Sequence, residues 1–376
     1  MARFVHSADW QMGMRAAHAG ASADSVRRAR IDAAERVAAA ARARAVDFVV
    51  LCGDTFEDNQ VERSLVAQTV EIMASCRCPV YVIPGNHDAL VAGSVWSDGS
   101  FARAPTVRVL RDESPVETQA GVTLWPCVAR ARHDERDPTA WVRVPNDDRV
   151  HVVLAHGTVE SVHYEEPWYP IARDCADRTG ADYVALGHFH AYVGYPSADG
   201  VVRMAYSGTH EPTRFGERDP GQALLVEVDR RGAAPSIERI VTGALRWLVL
   251  EASLQEQGDV GRVRAQVEAL AEGRAHQSLL RLKLDGYLRV DEQEALVALA
   301  EHVRTAFLFG RVEATLRPAP TDAAWTRSLP VGPVLDCAQR LARWAEPSCA
   351  DRPSDVSADV AARALLELYA LASAGD

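Results

Sequence analysis

Short apolar runs alternate with helical patterns through the first 190 residues of this 376-residue chain. Strands are predicted where β-branched and other apolar residues cluster, at residues 4–7, 46–52, 80–83, 151–155 and 183–186. Helices are predicted between them, at residues 25–45 and 62–75. Most of these strands are apolar on both faces, which is typical of strands buried inside a layered α/β fold. From residue 191 to 229 the pattern changes to strands separated by Gly and Pro.

A different pattern begins near Arg246, where strands and helices form a small predicted α+β unit of about 75 residues. Its strands are predicted at residues 247–251, 279–284 and 312–316, and its helices at 260–272 and 291–305. A linker is then predicted from four prolines, Pro318, Pro320, Pro330 and Pro333. A last helix is predicted after an N-cap at Ser357, with an apolar stripe of Val360, Ala364, Leu368 and Leu371. The predicted domains are 1–245, 246–318, and 319–376.

Composition narrows the class of protein. The net charge of −11 argues against a nucleic-acid partner, yet residues 1–45 hold eight Arg against four acidic residues, so a local basic surface is still compatible with the sequence. The seven Cys are scattered singly, which indicates reduced, structural thiols. No apolar run approaches the roughly 20 residues of a membrane span, and the first residues do not resemble a signal peptide. We therefore expect a cytoplasmic protein with no membrane partner.

Five short polar segments directly follow strand-like runs, where open α/β sheets place their active sites. They are Asp9-Trp10-Gln11, Gly53-Asp54, Gly85-Asn86-His87-Asp88, His156-Gly157 and Gly187-His188-Phe189-His190. Residues two apart on a strand point to the same side, so His188 and His190 can face one site. Mixed Asp, Asn and His ligands suit Mn²⁺, Fe or Zn²⁺ better than Mg²⁺ or Ca²⁺. The segments together predict a metal centre.

In this order the five segments resemble the calcineurin-like metallophosphoesterase superfamily. The resemblance implies a central β-sandwich flanked by helices and a site for two divalent ions, expected to be Mn²⁺. It implies that Asp54 bridges the ions and that the other ligands divide into two groups: Asp9, Gln11 and His190 on one ion, and Asn86, His156 and His188 on the other. His87 would act on the scissile phosphate as a catalytic residue. Asp88, also assigned a catalytic role, would either orient His87 or only cap the turn.

Further residues narrow the resemblance to the SbcD-type DNA repair nucleases. They are the segments 6–10 (HSADW), 53–56 (GDTF), 206–211 (YSGTHE) and 215–217 (FGE). The resemblance covers residues 1–245, and it implies a homodimeric DNA exo/endonuclease that works with an SbcC-like coiled-coil ATPase. The α+β unit resembles the family's DNA-capping domain in position and size only. The helical tail lies where that family docks its ATPase.

Gln11 departs from the family pattern, because the first motif usually reads Asp-x-His and an amide oxygen is a weaker ligand for these metals. Two other functions therefore stay open, a small-nucleotide phosphodiesterase or phosphatase, and a non-catalytic scaffold subunit with a weakened metal site. Two nearby residues also have open roles. His210 either contacts DNA or lies in the core, and Trp10 either meets a base or, as we expect, packs under the site.

Overall fold

The computed structural model describes residues 1–160, 168–318, 329 and 331–373. It divides into two compact units, Met1–Trp247 and Leu248–Asp376, and each is described here by itself. None of the helices in the described ranges combines the length and apolarity that a membrane span requires.

Two six-stranded sheets form the centre of the first unit. Their strands are β1 (Ala2–Ser7), β2 (Phe48–Cys52), β3 (Val80–Ile83), β4 (Val107–Val109), β5 (Val116–Glu117), β6 (Val122–Pro126), β7 (Val150–His156), β8 (Tyr183–Gly187), β9 (Val193–Pro196), β10 (Val202–Tyr206), β11 (Gln222–Val228) and β12 (Ser236–Val241). The strand orders are β12-β11-β1-β2-β3-β4 and β5-β6-β7-β8-β10-β9. The central strands β1 to β4 pair in parallel, as do β6 to β8 and β8 with β10, so their carboxyl ends share an edge.

Successive side chains on each strand point to opposite faces of the sheet, and this produces the layers of the first unit. Phe4, Val50 and Tyr81 of the first sheet pack between the sheets against residues such as Val152 and Tyr183 of the second. Their sequence neighbours point the other way, towards the helices that cover the first sheet. These helices are α1 (Ala23–Ala43), α2 (Arg63–Ala74) and α3 (Gly99–Arg103), and α4 (Cys175–Thr179) packs on the second sheet. The predicted α/β fold, a β-sandwich flanked by helices, is confirmed.

The second unit contains a three-stranded sheet in the order β13-β14-β15. Its elements are β13 (Arg246–Leu254), α5 (Asp259–Ala271), β14 (Ser278–Leu288), α6 (Gln293–Ala306), β15 (Phe309–Pro318), α7 (Pro333–Ala345) and α8 (Ala358–Ser373). Leu280, Leu282 and Leu284 alternate along β14 and meet Val263 and Val303 of the two helices. Of the predicted linker, Pro318 ends β15 and Pro333 begins α7, while Pro320 and Pro330 lie outside the described residues.

The last helix packs on its own unit, by a stripe different from the predicted one. Its N-cap is as predicted, since the Ser357 hydroxyl accepts a hydrogen bond from the Val360 amide at 3.2 Å. The buried stripe holds Leu365 and Tyr369, and the Tyr369 ring lies 5.4 Å from that of Tyr287 on β14. Of the predicted stripe, Leu368 packs against this buried cluster. The side chains left outside include Val360, 55% exposed, and Leu371, 74% exposed.

Candidate metal centre

Four strands from the two sheets, β1, β2, β7 and β8, end at one place. Asp9 and Asp54 each follow the end of a strand, β1 and β2, by two residues. His156 is the last residue of β7, and His188 comes directly after β8. Because parallel strands present their carboxyl ends at the same edge, residues far apart in the sequence meet there.

Backbone hydrogen bonds tie these loops together. The Asp9 amide donates to the Gly53 carbonyl at 3.1 Å, and the Gln11 amide donates to the Asp54 carbonyl at 2.8 Å. The Asp9 carboxylate in turn accepts the His188 amide at 3.0 Å. Asp9 therefore joins the first sheet, through β2, to the second sheet, through the loop after β8.

Four of the predicted ligands have a left-handed backbone, which residues other than Gly rarely adopt. The φ angles are 54° at Asp9, 40° at Gln11, 49° at Asp54 and 105° at His188. Each such conformation costs about 1–3 kcal/mol and persists only where the surroundings hold it. The chain also needs Gly187 here, because a Cβ at that position would lie 1.8 Å from the Cys52 carbonyl oxygen. This concentration of strain is typical of a functional site.

One group of ligands forms a tight cluster. Side-chain donor atoms of Asp54, His156 and His188 all lie within 4.8 Å of one another. The Asn86 carbonyl oxygen lies 2.9 Å from Nε2 of His156 and 3.1 Å from Nδ1 of His188. The other ring nitrogen of His156 donates to the Cys52 carbonyl at 2.8 Å, which turns Nε2 into the cluster. This is the grouping that the family resemblance implied, with Asp54 placed to be shared.

Burial and mutual charge perturb the pKa values of the cluster. Burial raises the pKa of Asp9 to about 6 and lowers that of His188 to about 3. Burial alone would lower the pKa of His156, but the adjacent Asp54 carboxylate raises it to about 9. The same pairing keeps the pKa of Asp54 below its usual value in spite of burial. Buried carboxylate, amide and imidazole donors facing one another fit a divalent transition-metal cation, whose charge would favour the deprotonated ligands.

Gln11 and His190 form the second group, beside Asp9. The amide nitrogen of Gln11 lies 3.4 Å from Nε2 of His190. On its other side, Nδ1 of His190 lies 2.7 Å from the carboxylate of Glu217. The structure thus places Gln11 where the resemblance expects the family's His. Sequence reasoning singled out residues 215–217 as a family segment but did not assign Glu217 to the site.

His87 lies next to the cluster without joining it. Its backbone amide donates to Asp54 at 2.9 Å, and its Nδ1 lies 2.9 Å from the Glu57 carbonyl oxygen. Asp88 points elsewhere, because its two carboxylate oxygens accept the amides of Gly85 at 2.7 Å and Phe56 at 2.9 Å. Asp88 therefore closes the turn and does not orient His87. The catalytic role predicted for Asp88 is corrected to a structural one.

The segment 207–211 packs behind the site. His210 is fully buried, and its ring stacks on that of Trp10 with centroids 5.3 Å apart. Its Nε2 bonds to the Arg30 carbonyl at 2.9 Å, so the suggested contact between His210 and DNA is wrong and the packing role of Trp10 is correct. His6 is equally buried, between the Tyr183 hydroxyl at 3.0 Å and a backbone carbonyl.

The buried guanidinium of Arg30 donates hydrogen bonds to the backbone of the first motif, residues 9–11. Arg30, on α1, donates to the Trp10 carbonyl at 2.6 and 3.0 Å and to the Asp9 carbonyl at 3.3 Å. It also donates to the carbonyls of Glu211 at 2.9 Å and Pro212 at 3.2 Å. One side chain therefore fixes both the strained loop after β1 and the segment that packs behind it.

A layered α/β fold whose two sheets present Asp, Asn and His side chains at one edge defines a metal-dependent phosphoesterase. Residues 2–192 match the family model described as calcineurin-like phosphoesterase, and the chain belongs to that family. The family is described as one of phosphoesterases, and its members bind divalent metals.

Two curated relatives are similar to the chain. The uncharacterized metallophosphoesterase YhaO of Bacillus subtilis is 31% identical over 156 residues, which are 39% of this chain and 37% of that protein. The DNA double-strand break repair protein Mre11 of Haloferax volcanii is 28% identical over 272 residues, 71% of this chain and 58% of that protein. The chain thus spans less than two thirds of either relative.

Among solved structures, TT1561 of Thermus thermophilus superposes with a TM-score of 0.42 at 12% identity, over 64% of this chain and 99% of that one. A dimetal phosphatase from Danio rerio gives a TM-score of 0.38 at 12% identity, over 63% of this chain and 98% of that one.

Proposed function

We propose that this protein is a Mn²⁺-dependent DNA exo/endonuclease, the nuclease subunit of an SbcCD-like complex in DNA repair or processing. The observation that carries the proposal is the extent of the similarity to the repair protein Mre11. That similarity covers 272 residues of this chain, so it continues beyond the phosphoesterase match at residues 2–192. A phosphatase for small substrates does not need the added α+β unit.

The proposed chemistry assigns each residue one task. Two divalent ions, held by Asp9, Gln11, Asp54, Asn86, His156, His188 and His190, would activate water and neutralise the phosphate. His87 keeps its Nδ1 on the Glu57 carbonyl at 2.9 Å, which leaves Nε2 for the substrate. A protonated His87 can then give the Nε2 proton to the leaving oxygen or stabilise its charge.

Two exposed arginines beside the site support a polyanionic substrate in spite of the net charge of −11. Arg130 and Arg132 are exposed on the loop after β6. The Ala129 carbonyl accepts the Leu90 amide at 2.9 Å, which anchors this loop next to the turn that carries His87. Phosphate groups are recognised by such clusters of Arg, and the resulting affinity falls steeply with salt.

For partners we propose DNA, a second copy of the chain, and an SbcC-like coiled-coil ATPase. The candidate docking surface for the ATPase is the exposed apolar part of the last two helices, which includes Val334 at 43% exposure, with Val360 and Leu371. Val360→Glu and Leu371→Glu leave the buried face of α8 intact. These variants should lose co-purification with the co-expressed ATPase and keep nuclease activity, and retained co-purification would argue against this surface.

The decisive experiment compares DNA and a chromogenic phosphodiester as substrates of the lone protein with Mn²⁺. His87→Ala should lose about 10²–10⁴ in cleavage rate and keep its metal content, because His87 is assigned to the phosphate. Asp54→Asn should lose both metals and activity together. His276→Ala, at an exposed residue of the second unit, is the matched control.

The outcomes separate the functions. Cleavage of DNA that depends on His87 supports the nuclease, whereas turnover of the small diester alone points to a phosphodiesterase. Loss of metal in His87→Ala would show that its assignment is wrong. No cleavage of either substrate at any Mn²⁺ concentration would refute the proposal.

A further inference from the structure

The buried carboxylate of Glu217 contacts the ring of His190, the predicted metal ligand beside Gln11. We infer that Glu217 is a positioning residue, which fixes the ring of His190 so that its Nε2 faces the metal position shared with Asp9 and Gln11. The inference rests on the metal centre proposed above and not on the identity of the substrate.

Glu217 is held in place independently of any ion. Its side chain is 4% exposed, and its Oε1 lies 2.7 Å from Nδ1 of His190. Its second oxygen accepts the Thr213 amide at 2.8 Å, and the Thr213 hydroxyl donates to Oε1. A neighbouring backbone contact ties residues 207–211 to the loop that carries His190, since the Thr209 amide donates to the His190 carbonyl at 3.2 Å.

This contact decides which nitrogen of His190 is available. An ionised carboxylate only accepts hydrogen bonds, so Nδ1 must carry a proton and donate it to Glu217. In the neutral ring Nε2 is then the acceptor. The Gln11 amide nitrogen, which can only donate, lies 3.4 Å from that Nε2, so the two partners on either side of the ring require the same tautomer.

The pairing also bears on the departure at position 11. A carboxylate hydrogen-bonded to a ligating imidazole makes the imidazole a stronger donor, and loss of such a partner commonly costs about 10- to 100-fold in metal affinity. Gln11 offers a weaker ligand than the family's His. Glu217 therefore strengthens the His190 ligand at the position where Gln11 weakens the site.

Glu217 also closes the turn at residues 213–217, so its test must separate positioning from folding. Two variants of the full chain serve this purpose. Glu217→Ala removes both the charge and the turn contact. Glu217→Gln keeps the size and an acceptor oxygen but removes the charge. Glu227→Gln is the matched control, because Glu227 is a partly buried glutamate of β11 that pairs with Arg3.

Calorimetric titration of the metal-free proteins with Mn²⁺ gives the first readout. Glu217→Ala should lose about 10- to 100-fold in the weaker of two affinities and Glu217→Gln a smaller factor, with the tighter affinity unchanged. Thermal unfolding of the metal-free variants should stay close to that of the natural protein. Unchanged Mn²⁺ affinities in both variants would overturn the inference. So would a loss of Mn²⁺ affinity that is accompanied by an equally large loss of thermal stability in the metal-free variants.

Nitrogen chemical shifts of His190 in the metal-free protein give the second readout. At a pH where the ring is neutral, the natural protein should show a protonated Nδ1 and an unprotonated Nε2, and Glu217→Ala should show a mixture of the two tautomers. The same tautomer in both proteins would overturn the inference. Neither readout uses DNA. Absence of nuclease activity would therefore refute the proposed function without deciding whether Glu217 positions His190.

Discussion

Arg30→Met should destabilise the first unit more than any exposed Arg substitution on the same helix. The substitution keeps a long apolar stem but removes every hydrogen bond of the guanidinium. The carbonyls of Asp9 and Glu211 keep a share in the single proton of the Thr209 hydroxyl, which lies 2.8 and 2.9 Å from them. The carbonyls of Trp10 and Pro212 lose the donor that Arg30 supplies.

The magnitude follows from these two carbonyls. A buried acceptor left without a partner costs about 1–3 kcal/mol, so the pair costs about 2–6 kcal/mol. Met also removes a buried charge, which burial disfavours and which lowers the pKa of Arg30, so the sum is an upper bound. At about 4 kcal/mol, a domain of this size should lose roughly 8–16 °C in its unfolding midpoint.

Thermal unfolding of the metal-free protein, followed by circular dichroism, measures the effect. Arg28→Met is the control, because Arg28 is exposed on the same helix and pairs with Asp32 at 2.8 Å. Its effect should stay within about 0.5 kcal/mol. Arg30→Lys keeps the charge but offers a single nitrogen, so it should resemble Arg30→Met. A midpoint of Arg30→Met no lower than that of the control would refute the argument that the guanidinium holds the two segments.

Gln11→His should shift the Mn²⁺ dependence of activity to concentrations at least about 10-fold lower with little change at saturation, because imidazole replaces a weaker amide ligand. Calorimetric titration checks this, and two equally tight sites in the natural protein would contradict it. Glu211→Gln should flatten the pH dependence of stability. Burial raises the pKa of Glu211 from 4.5 to about 7, so the folded protein holds a proton between those values that the unfolded chain releases. Its contribution to stability therefore falls as pH rises through that window. Chemical unfolding of the metal-free natural protein and of metal-free Glu211→Gln at pH 5 and pH 8 measures this. If the free energy of unfolding changes equally between the two pH values in both proteins, the argument from the buried Glu211 carboxyl is wrong.

The central strands could be predicted because one physical requirement marks them. β1, β2, β3, β7 and β8 are covered on both sides, so most of their residues are apolar on both faces. Helices α1 and α2 were predicted within two residues at each end. The short elements were not predicted, since five residues in α3 or α4 and two in β5 are too few to show a period.

The tail shows a different limit. Its helix and N-cap could be predicted from the pattern after Ser357, but which stripe is buried depends on the surface that receives it. Tyr369 faces inward because Tyr287 of a distant strand offers it an aromatic partner. Val360, which is as apolar as its neighbours, faces outward at 55% exposure. Periodicity gives the angle between side chains on a helix and not the direction of the core.

Within the site, the cluster of candidate ligands could be predicted from the sequence, and the residues that hold it in place could not. Asp9, Asp54 and His188 lie within two residues of the end of a strand, so the short-range pattern identifies them. The residues that hold them come from elsewhere in the chain, with Arg30 reaching the carbonyl of Asp9 and Glu217 reaching the ring of His190. Nothing in the spacing of an Arg on an amphipathic helix, or of a Glu in a turn, distinguishes a support from a solvated charge. Yet the left-handed backbone at Asp9 and Gln11 costs about 1–3 kcal/mol per residue, and it persists only because such distant contacts hold it. The precision of this centre is therefore a property of tertiary contacts, even though its composition can be deduced from five short segments.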